Sequence, residues 1–272
     1  MTTIAVLGAG KIGEALLVGL LAGGRSATEL MFTERHPERA VHLEQVHGVR
    51  AVCVAVAARE ADVLVVAVKP QDIDPLLVEL VEVLVASATL PLVVSLCAGL
   101  PTALYERRLP EGVAVVRVMP NTPMLVGEAM SAISPGSHAT EADLGVAEEL
   151  LGSVGKVLRV PESQQDAVTA LSGSGPAYFF YLVEAMIDAG ILLGLPRPVV
   201  TELITQSAVG AARMLRETGE HPVSLREAVT SPAGTTIMAI RELEKHGVRA
   251  ALLAAIEAAR DRSVQLGRTH SD

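Results

Sequence analysis

The chain has 272 residues, half of them apolar, enough to build the cores of two ordinary domains. Its formal charge is −9, and no basic run is longer than the pair Arg107-Arg108, so neither nucleic acid nor an anionic membrane is an expected partner. There is no Trp, and three Tyr and three Phe are too few for a base-stacking surface. The sequence opens directly on a strand-like run, so no export signal is expected. Cys53 and Cys97 each lie in or at the end of an apolar run, without a His or second Cys at ligand spacing; buried, reduced thiols in a cytoplasmic protein are the expectation, with no disulfide framework and no metal site.

Eight apolar runs of β type, at 3–8, 29–34, 49–54, 61–68, 90–97, 113–119, 129–134 and 154–160, alternate with helix-period segments. Continuous Val/Leu/Ile runs indicate strands covered on both faces, hence a largely parallel sheet of the doubly wound, Rossmann-type α/β class. After Pro161 the strand signals stop. Breaks at "SGSGP" (172–176), "GLPRP" (194–198), "TGEHPV" (218–223), "TSPAG" (230–234) and "HGV" (246–248) leave four or five helices. This divides the chain into a dinucleotide-binding domain, 1–161, and an all-helical domain, 162–272. The helices are too apolar to stand exposed, so their faces are expected to pack on one another or on a second subunit, giving a homo-oligomer. The apolar run 177–195 carries Glu184 and Asp188 one helical turn apart, which suits a helix buried against protein better than a membrane span. The final "GRTHSD" reads as a frayed tail.

"IAVLGAGKIGEAL" sets Gly8, Gly10 and Gly13, with Ala9, Lys11 and Ile12 between them, after the first strand and at the opening of the first helix. Gly8 permits the tight turn, Gly10 lets the backbone approach a pyrophosphate, and Gly13 lets helix and strand pack closely. Glu34, twenty-one residues after Gly13, is placed to hydrogen-bond ribose hydroxyls and favour NAD, whereas Arg35 could clamp a 2′-phosphate if Glu34 turned aside. A solvated Glu/Arg pair at a helix start is the plainer alternative. Two more strand ends should line the same crevice: Ala67, Val68, Lys69 and Pro70 in "AVKPQ", and Cys97, Ala98 and Gly99 in "CAG". Lys69 is placed to touch cofactor or substrate carboxylate, or else to cap a surface turn. In "RVMPNTP" two prolines hold Asn121 in a rigid turn at a strand end.

In "TSPAGTTIMAI" (230–240), Thr230, Ser231, Thr235 and Thr236 are either N-caps for a helix starting near Ile237, or the hydroxyl and amide lining of an anion site. In "LSGSGPAYFF" (171–180), Gly173, Gly175 and Pro176 predict a sharp entry into a long helix with Ser174 as its cap, and the turn is also suited to close approach to a nicotinamide.

"LGAGKIGEAL", "AVKPQ", "RVMPNTP", "SGSGPAYFF" and "SPAGTT", in this order and spacing, closely resemble pyrroline-5-carboxylate reductase over residues 4–267. The first motif is common to many dinucleotide enzymes; the last two, in succession in a helical second domain, are specific. The resemblance implies reduction of the cyclic imine 1-pyrroline-5-carboxylate to L-proline, the last step of proline biosynthesis, with NADP(H) preferred and NAD(H) possible. It implies a C-terminal domain that interlocks two subunits, and often a ring of such dimers, here a decamer. It places the nicotinamide near Lys69-Pro70, Ala98 and Asn121. The substrate would lie against Val229, Thr230, Ser231, Gly234, Thr235 and Thr236 and the turn Ser174-Gly175-Pro176, its carboxylate on backbone N–H groups and its ring nitrogen near the Thr236 hydroxyl. Thr236 is thereby the candidate catalytic residue.

Three positions depart from the family pattern. Ala233 replaces a glycine, so any positive φ there would be strained. Gly219 stands where some members carry a glutamate, and Thr33-Glu34-Arg35 only partly matches the usual reader of a 2′-phosphate. A β-hydroxyacid dehydrogenase would need a general acid/base lysine within a second-domain helix, and only Lys245 lies past residue 160. A non-catalytic NADP-sensing module would keep the glycine array but has no use for a polar, amide-rich loop. A hydrolase is unsupported, since no G-x-S-x-G elbow occurs.

Overall fold

The computed structural model describes residues 2–268. Each of the eight apolar runs contributes one strand to a single sheet: β1 (Ile4–Leu7), β2 (Leu30–Thr33), β3 (Arg50–Ala51), β4 (Val63–Val66), β5 (Leu92–Ser95), β6 (Val115–Met119), β7 (Ala129–Pro135) and β8 (Gly155–Arg159). The spatial order is β3-β2-β1-β4-β5-β6-β7-β8. Pairing is parallel from β3 through β6; β7 runs antiparallel to β6, and β8 is parallel to β7. The order reverses about β1, where a crevice opens beyond the carboxyl ends of β1 and β4.

The strands are apolar throughout because both faces are covered. Ile4 and Val6 of β1 pack with Leu16, Leu17 and Leu20 of α1 (Lys11–Ala22) and with Phe32, Val65 and Val94. Ala5 and Leu7 point the other way, into a second cluster with Leu76, Leu77 and Leu80 of α4 (Ile73–Leu84) and with Tyr105 of α5 (Thr102–Arg108). Each such fully buried Leu or Val contributes about 1.5–3 kcal/mol. The remaining layer helices are α2 (Pro37–His47), α3 (Val54–Glu60) and α6 (Glu141–Gly152).

Beyond β8 the chain turns helical, and Glu162 pins that start to the sheet. Its carboxylate accepts from the Thr102 N–H and hydroxyl, each at 2.8 Å, and from Arg117 at 3.3 Å. Next comes α7 (Gln165–Val168), whose buried Gln165 amide donates to the Ala132 carbonyl and the Ser134 hydroxyl. A π-helical turn, Thr169–Gly173, then leads into α8 (Gly175–Leu192). The expected break at 172–176 falls at the junction of these two segments: Ser174 is a bend that closes the π turn, its N–H donating to the Thr169 carbonyl at 2.8 Å, and α8 begins at Gly175. Gly173 packs on Met119, whose terminal methyl would have to move aside for a Cβ placed 2.4 Å from it.

Two compact units result: Met1–Ser174 together with the chain from Ala259, and Gly175–Ala258. The change of composition at 161–162 precedes the change of packing, because Glu162 and Gln165 bind the sheet. The second unit holds α8, α9 (Arg197–Thr218), α10 (Pro222–Ala228), α11 (Thr235–Lys245) and the first half of α12 (Val248–Arg268). The last turns of α12 return to the first unit, where the Ser263 hydroxyl donates to Asp166 at 2.6 Å and Gly267 lies against the Gly99 carbonyl. Gly267 is thus helical rather than frayed, while Thr269 to Asp272 of the expected tail lie outside the described residues.

The aromatic residues of α8 are not covered within one chain. Phe179, Phe180 and Tyr181 are 69, 67 and 72% exposed in the single chain. The run Glu162–Leu192 is long and apolar enough to cross a membrane by length and composition. Within the second unit, Gly190 of α8 lets α9 approach closely, since a Cβ there would fall 2.5 Å from Val200 Cγ1. The cysteine expectation holds for one of the two. Cys97 is buried, but Cys53, just ahead of α3, is exposed.

Candidate active site

In the first unit, β1 ends on Gly8 at φ +98°, a conformation L side chains rarely adopt. Its N–H donates to the Thr33 carbonyl and hydroxyl, and the Ala9 N–H donates to the same carbonyl at 3.0 Å, so the turn is tied to the end of β2. Space around the three glycines differs sharply. A Cβ at Gly13 would lie 2.2 Å from the Gly8 carbonyl oxygen, and one at Gly8 would lie 2.9 Å from Val68 Cγ1. At Gly10 it would meet nothing within 4 Å. Gly10 is the N-cap of α1 and borders a cleft of about 360 Å³, which brings the amide-rich, positive start of the helix to that opening. Open backbone at Gly10, a closed turn beneath it and a helix start alongside fit the pyrophosphate of a dinucleotide.

The cleft gathers Gly8, Gly10, Glu34, Arg35, Ala67, Val68 and Lys69 from the residues expected there. Ala9, Lys11, Ile12, Gly13, Pro70, Cys97, Ala98, Gly99 and Asn121 are outside its lining. Thr33, His36, Arg39 and Asp72, which also line it, were not among the sequence candidates. Arg39 lies in the first turn of α2, a position that carries a signal only once that helix is known to start at the cleft.

Glu34 is turned aside. Its side chain is 8% exposed, and its carboxylate accepts the His36 N–H at 3.0 Å and lies 3.5 Å from Arg39 Nε. Arg35 reaches the other way to Asp72 at 2.9 Å as an exposed pair, worth no more than about 1 kcal/mol and readily exchanged for another anion. Lys69 is exposed at the N-cap of the short turn Pro70–Asp72.

Cys97 packs inward, its thiol donating to the Val68 carbonyl at 3.2 Å. Burial pushes the thiol pKa up to about 11 against the opposing hydrogen bonds with Tyr105 and Ser95, so it is protonated and unreactive at neutral pH. Asn121 is engaged by the fold. Its side-chain oxygen accepts the Met130 N–H at 2.9 Å, and its amide donates to the Ser172 carbonyl and hydroxyl, each at 3.3 Å. That links the end of β6 to the start of β7 and to the π-helical turn. Gly175 and Pro176 open α8 directly after this turn.

In the second unit, α11 starts at Thr235, earlier than the expected Ile237, and its N-cap is Gly234 with no side-chain capping bond. The expectation that a hydroxyl caps this helix is therefore corrected. Thr230 instead donates back to the Arg226 carbonyl at 2.6 Å, closing the end of α10. Gly234 packs so tightly on Ser231 that a Cβ would fall 2.3 Å from its hydroxyl, which leaves no room for the side-chain geometry a cap needs. The first turn of α11 thus keeps its N–H groups free of side-chain caps, with Thr235 exposed, Thr236 half-buried and Val229 exposed beside them. Lys245 closes α11 as an exposed partner of Glu242 at 3.4 Å, a surface role rather than that of a general acid.

Ala233 is the only non-glycine residue with positive φ, +57°, among the described residues. A left-handed alanine costs on the order of 1 kcal/mol. Ala233→Gly is therefore expected to raise the thermal midpoint by about 2–4 °C. Calorimetry showing no increase would place the loop in a different conformation.

Residues 162–266 match the profile of the family described as pyrroline-5-carboxylate reductase dimerisation, and residues 3–99 match that described as NADP oxidoreductase, coenzyme F420-dependent. A pyrroline-5-carboxylate reductase of Corynebacterium melassecola is 47% identical over 269 residues, covering 98% of this chain and 100% of its own length. The chain belongs to the pyrroline-5-carboxylate reductase family. A solved reductase from Coxiella burnetii superposes with a TM-score of 0.91 at 36% identity, covering 97% of this chain and 98% of that one. A pyrroline carboxylate reductase from Plasmodium falciparum, solved with NADP bound, gives 0.87 at 27% identity, covering 98% of each chain. The exposed apolar faces of α8 and its neighbours fall inside the dimerisation match, and apolar patches of this kind are typical of protein–protein contact surfaces.

Proposed function

We propose that the protein reduces 1-pyrroline-5-carboxylate to L-proline with NADPH as the preferred reductant and NADH as a poorer one. Its membership in the reductase family, together with a glycine turn that leaves only Gly10 open to the cleft, carries this conclusion. The reduced nicotinamide, when bound, supplies the hydride. Gly10 and the start of α1 hold the pyrophosphate, and Lys69 neutralises charge at the carboxyl edge of β4. The uncapped N–H groups of α11 anchor the substrate carboxylate, and the Thr236 hydroxyl orients the ring nitrogen. An imine protonated from solvent takes the hydride at carbon and keeps its proton as the amine N–H of proline. That balance requires no protein acid, consistent with a segment 230–236 made of hydroxyl, apolar and glycine residues. Positioning is the main contribution of the protein.

NADP(H) preference follows from the directions of Glu34 and Arg35. The carboxylate that would bind ribose hydroxyls is spent on His36 and Arg39, and the guanidinium that would meet a 2′-phosphate is held only by a weak surface pair. In this reading 1–161 carries the dinucleotide and 162–272 the substrate loop and subunit contacts. The active form is a homodimer assembled into a cytoplasmic decamer.

Oxidation of NADPH and of NADH by the purified protein, with and without pyrroline-5-carboxylate, tests the assignment. Turnover that depends on the imine, with kcat/KM for NADPH at least roughly tenfold above NADH, is expected. Oxidation indifferent to the imine would sink the reductase assignment, equal use of both cofactors would sink the preference alone, and a dimer-sized mass in sedimentation would remove the decamer.

A further inference from the structure

Arg39 of α2, which lines the cleft, touches three other segments of the first unit at once. Its Nε and Nη2 donate to the Ala9 carbonyl at 3.2 and 3.0 Å, and Nη2 also donates to Glu14 of α1 at 2.7 Å. Its Nε stands 3.5 Å from the Glu34 carboxylate, which is almost out of solvent. Glu14 in turn faces His47 Nε2 at 3.3 Å, so Arg39 is braced from the far end of α2.

Two consequences follow from elementary chemistry. In a trans peptide the C=O and N–H point in opposite directions, so a guanidinium holding the Ala9 carbonyl also fixes the Gly10 N–H, the amide at the open glycine. And a carboxylate at the end of β2 repels a 2′-phosphate unless a cation offsets it. Arg39 Nε stands 3.5 Å from Glu34 Oε2, whereas Arg35 points away to Asp72.

We propose that Arg39 is a positioning and specificity-determining residue: it fixes the Ala9-Gly10 peptide and, shared with Glu14, offsets part of the Glu34 charge, so that a 2′-phosphorylated adenosine is admitted where a bare carboxylate would exclude it. This rests on the NADPH reading above and names the residue responsible for it.

The test is equilibrium binding, by calorimetry, of 2′,5′-ADP, 5′-AMP, NADPH and NADH to the intact protein. Arg39→Met is expected to weaken 2′,5′-ADP and NADPH about tenfold or more, and 5′-AMP and NADH about threefold or less. Adding Glu34→Gln to Arg39→Met should recover most of the lost 2′,5′-ADP affinity, because the uncompensated charge is gone. Arg39→Lys should keep the preference between the two fragments while weakening both, since a point charge cannot hold the Ala9 carbonyl through two donors. Equal losses for all four ligands in Arg39→Met, or no recovery in the double variant, would overturn the proposal. If Arg39→Met fails to fold, the Arg39→Lys and Glu34→Gln proteins still decide it, since Arg39→Lys with a reversed preference is incompatible with charge neutralisation. A wild-type protein that binds 5′-AMP as tightly as 2′,5′-ADP would instead refute the NADPH preference itself.

Discussion

Gly13→Ala is expected to abolish cofactor binding and to destabilise the first unit, while Gly10→Ala leaves the fold intact and still loses the cofactor. At Gly13 the new methyl would sit 2.2 Å from the Gly8 carbonyl oxygen, a backbone atom held by the turn that Thr33 anchors. The helix would have to move off the strand, and overpacking of this kind costs about 1–3 kcal/mol or more. NADPH affinity should fall at least a hundredfold, with a lower thermal midpoint. At Gly10 the methyl meets no protein atom within 4 Å, so the midpoint should match wild type. It would instead occupy the space a pyrophosphate needs, and the Kd for NADPH should rise about tenfold or more, a loss of about 1.4 kcal/mol. Calorimetric melting and cofactor titration on both variants separate the two effects. Normal binding by Gly10→Ala would remove the dinucleotide from this turn.

Thr236→Ala should cut kcat/KM for pyrroline-5-carboxylate about tenfold or more, roughly 1.4 kcal/mol of lost transition-state stabilisation, and Thr236→Ser should keep most of it. Ordinarily such a change at a helix start also removes a cap and about 1 kcal/mol of stability. Here the N-cap is Gly234 and makes no side-chain bond, so stability should not move. The pairing of slow turnover with an unchanged midpoint is the signature of a hydroxyl that serves substrate. Full turnover in Thr236→Ala would reject that role.

How far these features could be read from the sequence depends on how local their causes are. The eight strands were legible because continuous Val/Leu/Ile runs record burial on both faces, and the eight runs correspond one to one with β1 to β8. Strain at Ala233 was legible too, since an alanine standing in for a family glycine carries its consequence in one position. Glycine breaks were ambiguous. At 172–176 the break takes the form of a π-helical turn that closes at Ser174 just before α8, with Gly173 against Met119, a contact between distant residues. The hydroxyls at 230–236 matched capping chemistry, but contact between Ser231 and Gly234 closes that option. Arg39 escaped notice because its partners Ala9, Glu14 and Glu34 come from three other segments. Burial of α8 is not settled within one chain, where its aromatic residues stay exposed although they fall inside the match to the dimerisation family.

The return of α12 to the first unit sets an order on biosynthesis. Asp166 gains its Ser263 partner, and Gly99 its neighbour Gly267, only after almost the entire polypeptide has left the ribosome. The nucleotide-binding half, though it is translated first, therefore waits on the C-terminus for its finished form, and a nascent chain stalled after α11 would carry a complete sheet whose Gly99 and Asp166 lack their neighbours from α12.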